Sequence, residues 1–365
     1  MRLKKYLIPI LVCILGYMLL IAGCGKNDSE KNKEPESKTI TVADSAGRDV
    51  ELPQPLEKVV VINSNAAEVI CLLKVQDKVI GVGESVQKRS YLKLQDKEIV
   101  SKGSNPSFEK IVELRPQVVI SFSGTSGSEV AEKLEPAGIR VVLLDLYKPE
   151  TFDSDFKTIA KMFGKEKEAN DFLKWKAEQI EFLDRVKILE PDQKVNVFSM
   201  HTSSFESGQW KLTGSATSVT QAIEMAGGIS TTRELKSGTV VSPEWVLEHN
   251  PGVLLFTEDS DVIPNVVVKL GLKTNDLANA EKFREEVMKN KVLSKTDAVQ
   301  KDRVYIISNS VLGPDKSFLG ALYLAKWFYP DQFKDLDPDK VLQEYFEKWL
   351  GVPFEGKWAY PPVTE

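Results

Sequence analysis

Ser107-Phe108-Glu109-Lys110-Ile111-Val112-Glu113-Leu114-Arg115-Pro116-Gln117-Val118-Val119-Ile120 lies over Ser242-Pro243-Glu244-Trp245-Val246-Leu247-Glu248-His249-Asn250-Pro251-Gly252-Val253-Leu254-Leu255 without a gap, at a constant offset of 135 residues. Ser, Glu, two apolar residues, Glu, Pro and three apolar residues coincide. Each copy has the same physical content. Ser caps a short helix, an acid in its first turn faces the helix dipole, Pro stops it, and a buried strand follows. Two homologous lobes are therefore expected, with a ligand cleft between them.

The surrounding chain fits two α/β lobes. Short β-branched runs are expected as strands at Lys58–Ile62, Val79–Gly81, Gln117–Phe122, Arg140–Leu144, Lys194–Ser199, Val253–Phe256 and Arg303–Ile307, alternating with helical stretches. The alternation stops between Thr151 and Leu189, where two helical segments are expected, Thr151–Phe163 and Lys165–Leu189. The second carries Phe172, Trp175, Ile180, Leu183 and Val186 on a charged background. At about 1.5 Å per residue it spans roughly 40 Å and reads as a stiff connector. The expected division is 39–164 for the first lobe, 165–189 for the connecting helix and 190–365 for the second lobe with a C-terminal extension. Helices are expected over Lys316–Phe328 and near Lys340–Leu350. The aromatic-rich segment beyond them either wraps the second lobe or marks a subfamily.

The N-terminus reads as an address. Arg2, Lys4 and Lys5 precede an apolar run from Tyr6 to Ala22, which closes on Leu20-Ile21-Ala22-Gly23-Cys24. This layout is that of an export signal over residues 1–23, ending in a lipobox with Cys24 as the lipidated residue. A single membrane-spanning helix is the alternative. Residues 24–38 lack a run of apolar side chains and are expected to act as a flexible tether. The protein is then anchored on the outer face of the cytoplasmic membrane, through two or more acyl chains. Cys71, within Val69-Ile70-Cys71-Leu72-Leu73, is expected as a small buried hydrophobe.

Composition narrows the function. Of 365 residues, 48 Lys plus Arg stand against 53 Asp plus Glu, a net charge of −5 that gives no field for nucleic acid. Two histidines and three cysteines leave too few soft ligands for direct capture of a bare transition metal. No Gly-x-x-x-x-Gly-Lys-Ser/Thr, His-Glu-x-x-His or Gly-x-Ser-x-Gly motif occurs, and Gly81-Val82-Gly83 reads as a turn. A tethered hydrolase and a sensing or adhesive lipoprotein remain as alternatives to a transport role.

Thr41-Val42-Ala43-Asp44-Ser45-Ala46-Gly47-Arg48-Asp49-Val50-Glu51-Leu52-Pro53, the strand at Val59-Val60-Val61 and a helix beginning near Asn65 resemble the opening of substrate-binding lipoproteins of ABC importers for ferric siderophores, haem and cobalamin. The resemblance implies the class III periplasmic binding protein fold, two Rossmann-like lobes with parallel-rich sheets joined by one long rigid α-helix, closing little on ligand. It implies a monomer without enzymatic activity or resident cofactor. The ligand would be a preformed metal chelate, and the partners an ABC permease and its ATPase subunits. By motif, Glu109 and Glu244 would dock onto permease arginines, with Glu113 and Glu248 able to share that role.

Ligands of parallel α/β lobes sit beyond the carboxyl ends of strands. Candidate contacts are Asn63, Ser64, Asn65, Ser104, Asn105, Ser123 and Gly124 in the first lobe and Ser215, Thr239 and Asn309 in the second, all suited to neutral hydrogen bonding. Tyr147, Phe122 and Trp210 are candidate flat contacts. His201 is a candidate axial or hydrogen-bonding partner, and His249 a helix-end residue.

Overall fold

The computed structural model of this protein describes residues 38–103, 105–258 and 268–363. The export signal, Cys24, nearly all of the tether, and Ser104 lie outside the described residues. Among the described residues no helix is long and apolar enough to cross a membrane.

A hairpin of β1 (Thr39–Ala43) and β2 (Asp49–Pro53) opens the fold. The first lobe then forms a sheet from β3 (Val59–Val61), β4 (Val79–Gly83), β5 (Glu98–Lys102), β6 (Asn105–Pro106), β7 (Val118–Ser121) and β8 (Arg140–Leu143), in the order β6-β5-β4-β3-β7-β8. The second comprises β9 (Asn196–His201), β10 (Ile229–Ser230), β11 (Val253–Glu258), β12 (Val304–Ser308) and β13 (Ala359–Tyr360), ordered β10-β9-β11-β12-β13. Both sheets are parallel except at β6 and β13. The repeated stretch supplies β7 and β11, and each is flanked equivalently: β4-β3-β7-β8 matches β10-β9-β11-β12. The duplication read in the sequence thus extends over four strands of each lobe.

The repeated helices are Phe108–Leu114 and Pro243–His249, both ended by left-handed residues, Arg115 (φ 50°) and Asn250 (φ 39°), immediately before the prolines. Their starts differ from expectation in one respect. Ser242 Oγ accepts from Trp245 N at 3.1 Å, whereas the Ser107 side chain makes no capping bond. Gly81-Val82-Gly83 is also not a turn but part of β4. A Cβ at Gly81 would come within 2.9 Å of Leu114 and 3.1 Å of Val100, so the glycine serves close packing of the repeated helix on the sheet.

The connector is not one continuous α-helix. It runs as an α-helix over Glu166–Ile180, tightens to a 3₁₀ turn over Glu181–Leu183, and resumes at Asp184–Lys187. Leu183 and Val186, three residues apart, are both buried across this tightened stretch. Val186 fits against Gly227, where a Cβ would approach within 2.6 Å. Nor is the connector a free-standing strut, because its apolar face is buried in a hydrophobic core that continues through both lobes. Phe172 stacks on Phe156 at 5.0 Å and meets Trp349 edge-on at 5.3 Å, while Trp175 meets Phe318 at 5.9 Å. Two smaller cores fill the opposite faces of the two sheets.

The C-terminal segment wraps the second lobe. Trp358 is buried against Phe346 at 5.2 Å, and β13 adds antiparallel to β12. Cys71 is buried and its thiol is pushed up to about 12 by burial, with the Glu68 charge adding to the shift, which leaves it unreactive. Truncating Phe172 to Ala should cost about 3–5 kcal/mol in denaturant unfolding. Ile188→Ala, at a side chain 82% exposed at the connector's end, should stay within about 0.5 kcal/mol of the parent.

Candidate functional site

Between the lobes lies a cavity of about 210 Å³. The first lobe contributes Lys88, Arg89, Ser90 and Tyr91, and the second contributes Ser218, Asn309, Ser310, Gly313, Pro314 and Lys316. These residues stand at element ends: Arg89 follows the helix Glu84–Lys88, Asn309 follows β12, and Lys316 precedes the helix Ser317–Phe328. Chain turns there leave hydroxyls, amides and cationic side chains facing the space.

Beneath the cavity is a buried network of charge. Glu68, fully enclosed in the helix Ser64–Leu72, accepts four bonds: Arg89 Nη1 at 2.8 Å and Tyr91 Oη at 2.8 Å on Oε2, and Lys316 Nζ at 2.8 Å and Tyr345 Oη at 2.7 Å on Oε1. Asp315 Oδ2 accepts from the same Arg89 nitrogen at 3.0 Å and from Lys316. Arg89 Nη2 reaches Asn65 Oδ1 at 3.3 Å. Burial would drive the Lys316 ammonium down in pKa, but Asp315 and Glu68 outweigh it and hold it above the usual lysine value. Likewise burial favours a neutral Asp315, yet Arg89 and Lys316 hold its carboxyl well below the usual range. Arg89, Lys316 and Asp315 therefore keep their charges together in the buried site.

A second cavity, of about 350 Å³, opens at the carboxyl ends of β3, β4 and β7, where the strand order reverses. Ser64, Ser85, Ser121 and Ser126 supply hydroxyls, and Ile62, Phe122 and Val130 supply apolar wall.

Of the residues picked out in the sequence, Asn309 lines the interlobe cavity, and Ser64 and Phe122 line the first-lobe cavity. Asn65 lies buried behind the interlobe wall, joined to Arg89 and to Leu146 O at 3.4 Å. Tyr147 is 40% exposed, with the Lys148 ammonium 5.3 Å from its ring. The turn that presents it puts Leu146 at φ 46°, a strained conformation for a leucine, held by Asp155 Oδ2 accepting from Leu146 N at 2.9 Å.

Other picks have structural work. Asn63 is fully buried, accepting from the amides of Asn65 and Ala66 and donating to Leu144 O at 2.8 Å, so it caps a helix and is not a cleft contact. Trp210 is likewise a core ring, 5.7 Å from Phe205, because its indole is needed to fill the second lobe. Ser123 donates to Asp145, which also holds Lys148 Nζ at 2.5 Å. Gly124 adopts φ 85° ahead of the helix Thr125–Leu134. His201 Nδ1 contacts Ser203 Oγ at 2.8 Å at the start of the helix Thr202–Glu206. Asn105 is exposed in β6, and Ser215 and Thr239 are exposed in second-lobe loops. His249 stacks on Trp245 at 3.7 Å, at the helix end expected for it.

Sequence reasoning missed Arg89, Tyr91, Ser218 and Lys316 in the wall and Glu68 and Asp315 behind it. One trace was legible: Glu68 interrupts Ala66-Ala67-Glu68-Val69-Ile70, and an acid on a buried helix face needs a partner. Glu109, Glu113, Glu244 and Glu248 are exposed on the two repeated helices, as is Val112 at 43%.

Residues 59–311 match the family described as periplasmic binding protein. The chain is 24% identical over 342 residues to the molybdate-binding protein MolA of Haemophilus influenzae, covering 86% of this chain and 92% of that one. It is 27% identical over 183 residues to the iron(3+)-hydroxamate-binding protein FhuD of Bacillus subtilis, covering 48% and 55%. In fold it superposes on the TroA-like periplasmic binding protein FepB from Veillonella parvula with a TM-score of 0.76, at 24% identity over 88% of this chain and 99% of that chain. The two-lobed architecture and the sequence match agree: the chain belongs to the periplasmic binding protein family, and is a substrate-binding component of an ABC transporter, not an enzyme.

Proposed function

We propose that this chain captures a metal chelate, namely a ferric siderophore, haem or corrinoid, in the interlobe cleft and delivers it to an ABC permease, while Cys24 anchors it to the outer face of the cytoplasmic membrane. The observation that carries the reading is the cavity closed by both lobes and lined by Ser90, Tyr91, Ser218, Asn309 and Ser310. Neutral donors and acceptors suit the periphery of a chelate whose own atoms satisfy the metal. Tyr147 offers a flat surface of the kind that stacks on a chelate or macrocycle. A second reading, capture of an oxyanion, is favoured by Arg89 and Lys316 in the wall and by the likeness to MolA.

Titrating the purified Cys24-onward chain by intrinsic fluorescence and thermal melting, with ferric hydroxamate and catecholate chelates, haem, cobalamin and molybdate in parallel, decides between them. A true ligand at about a hundred times its Kd should stabilise the fold by about 2.7 kcal/mol. A shift with molybdate alone favours the oxyanion reading, and no shift with any of them discards both.

The exposed Glu109 and Glu244 would dock the two lobes onto permease cations. The double reversal Glu109→Lys with Glu244→Lys should leave ligand affinity unchanged and abolish both uptake and permease-stimulated ATP hydrolysis. Normal uptake by that variant rules the assignment out.

A further inference from the structure

The cations in the cleft wall are already spoken for. Arg89 and Lys316 face Glu68 and Asp315 behind them, two positive charges against two negative, and the remaining lysine, Lys88, lies 3.3 Å from Glu84. The other polar lining groups, Ser90, Tyr91, Ser218, Asn309 and Ser310, are uncharged. A ligand carrying several negative charges would enter a wall with no uncompensated field to replace its hydration.

We propose that Glu68 and Asp315 are specificity-determining residues that never touch the ligand: they cancel the charge of Arg89 and Lys316, and so tune the cleft to ligands of low net charge. The proposal rests on the interlobe cavity being the ligand site, and it separates the two ligand readings by electrostatics. Glu68 does this from the first lobe and Asp315 from the second, and each contacts the cation of its own lobe and that of the other. Their roles are positional as well. With four bonds on its two oxygens, Glu68 also fixes where the Arg89, Lys316 and Tyr91 heads stand in the wall.

The test compares a neutral ferric tris-hydroxamate, a ferric tris-catecholate trianion and molybdate, each titrated at low and high salt. The parent should bind the neutral chelate best, with little salt dependence. Asp315→Asn and Glu68→Gln each leave one uncompensated cation, and each should shift preference toward the anions by about tenfold, an advantage that salt removes. Adding Lys316→Met to either variant restores neutrality and should return the parental preference, which a merely structural role would not do. Asp315→Asn leaves the four bonds on Glu68 intact, so it and its double variant decide the matter if Glu68→Gln fails to fold.

Parallel changes for neutral and anionic probes, no return in the double variants, or a parental preference for the anions would overturn the inference while leaving the cleft as the ligand site. Ser218→Trp, which fills the cavity, separates the two failures. If no probe binds the parent, or if this variant binds as the parent does, the cleft reading falls and takes the inference with it.

Discussion

A carboxylate shut away from water persists only where donors replace the hydration it has lost, and Glu68 sits where four donors from three parts of the chain converge. Arg89 and Tyr91 come from its own lobe, Lys316 from the second, and Tyr345 from the π-helical stretch Tyr345–Leu350 that continues the short helix Pro338–Glu344. Removing one member of such a buried set commonly costs about 3–5 kcal/mol, because the others keep charges that cannot be solvated. The relative placement of the lobes and the shape of the cleft wall are consequently one structural problem with one solution. Arg89, Tyr91 and Lys316, which converge on Glu68 from the two lobes, also line the cavity.

The aromatic cluster works in the same direction with different physics. Phe156, Phe172, Trp175, Phe318, Tyr345 and Trp349 come from four helices, and the connector supplies the two at the centre. A core that runs unbroken through both lobes makes wide hinge opening expensive, since opening would expose that apolar surface to water. The break at Glu181–Leu183 does not loosen the connector, because Leu183 within it and Val186 just beyond it are buried.

The fold was legible where the sequence repeats itself or alternates with a clear period. Seven expected strands appear within a few residues of their bounds, and the offset of 135 holds from the first helical residue to the strand behind it. The strands that escaped notice are β1, β2, β5, β6, β10 and β13. Several are two residues long and set by their neighbours, not by composition. Gly81 and Gly83 looked like turn residues because glycine usually is one, and only the packed structure reveals why a side chain is excluded: Leu114 of the overlying helix crowds Gly81, and Ser101 and Ile62 crowd Gly83. The site was harder to read. Polar loops can be found by composition, but Asn63 and Trp210 are polar or flat for the sake of a cap and a core. Arg89, Asp315 and Lys316 gain their meaning from partners more than two hundred residues away along the chain.

Duplication alone would leave two open sheets, and unpaired strand edges invite association. The two lobes close their edges by different means. In the first, the turn of the opening hairpin covers β8: Asp44 Oδ2 accepts from Leu143 N, Ser45 N donates to Leu143 O at 2.8 Å, and Arg48 Nη2 donates to Val141 O at 2.8 Å. That is the physical content of Asp44-Ser45-Ala46-Gly47-Arg48, with Asp44 accepting from the amides of Ala46 and Arg48 to make the turn. In the second, β12 is the corresponding strand, and the C-terminal β13 covers it. The opening hairpin and β13 therefore do one job on equivalent edges of two equivalent sheets. The C-terminal extension is the second lobe's counterpart to the opening hairpin.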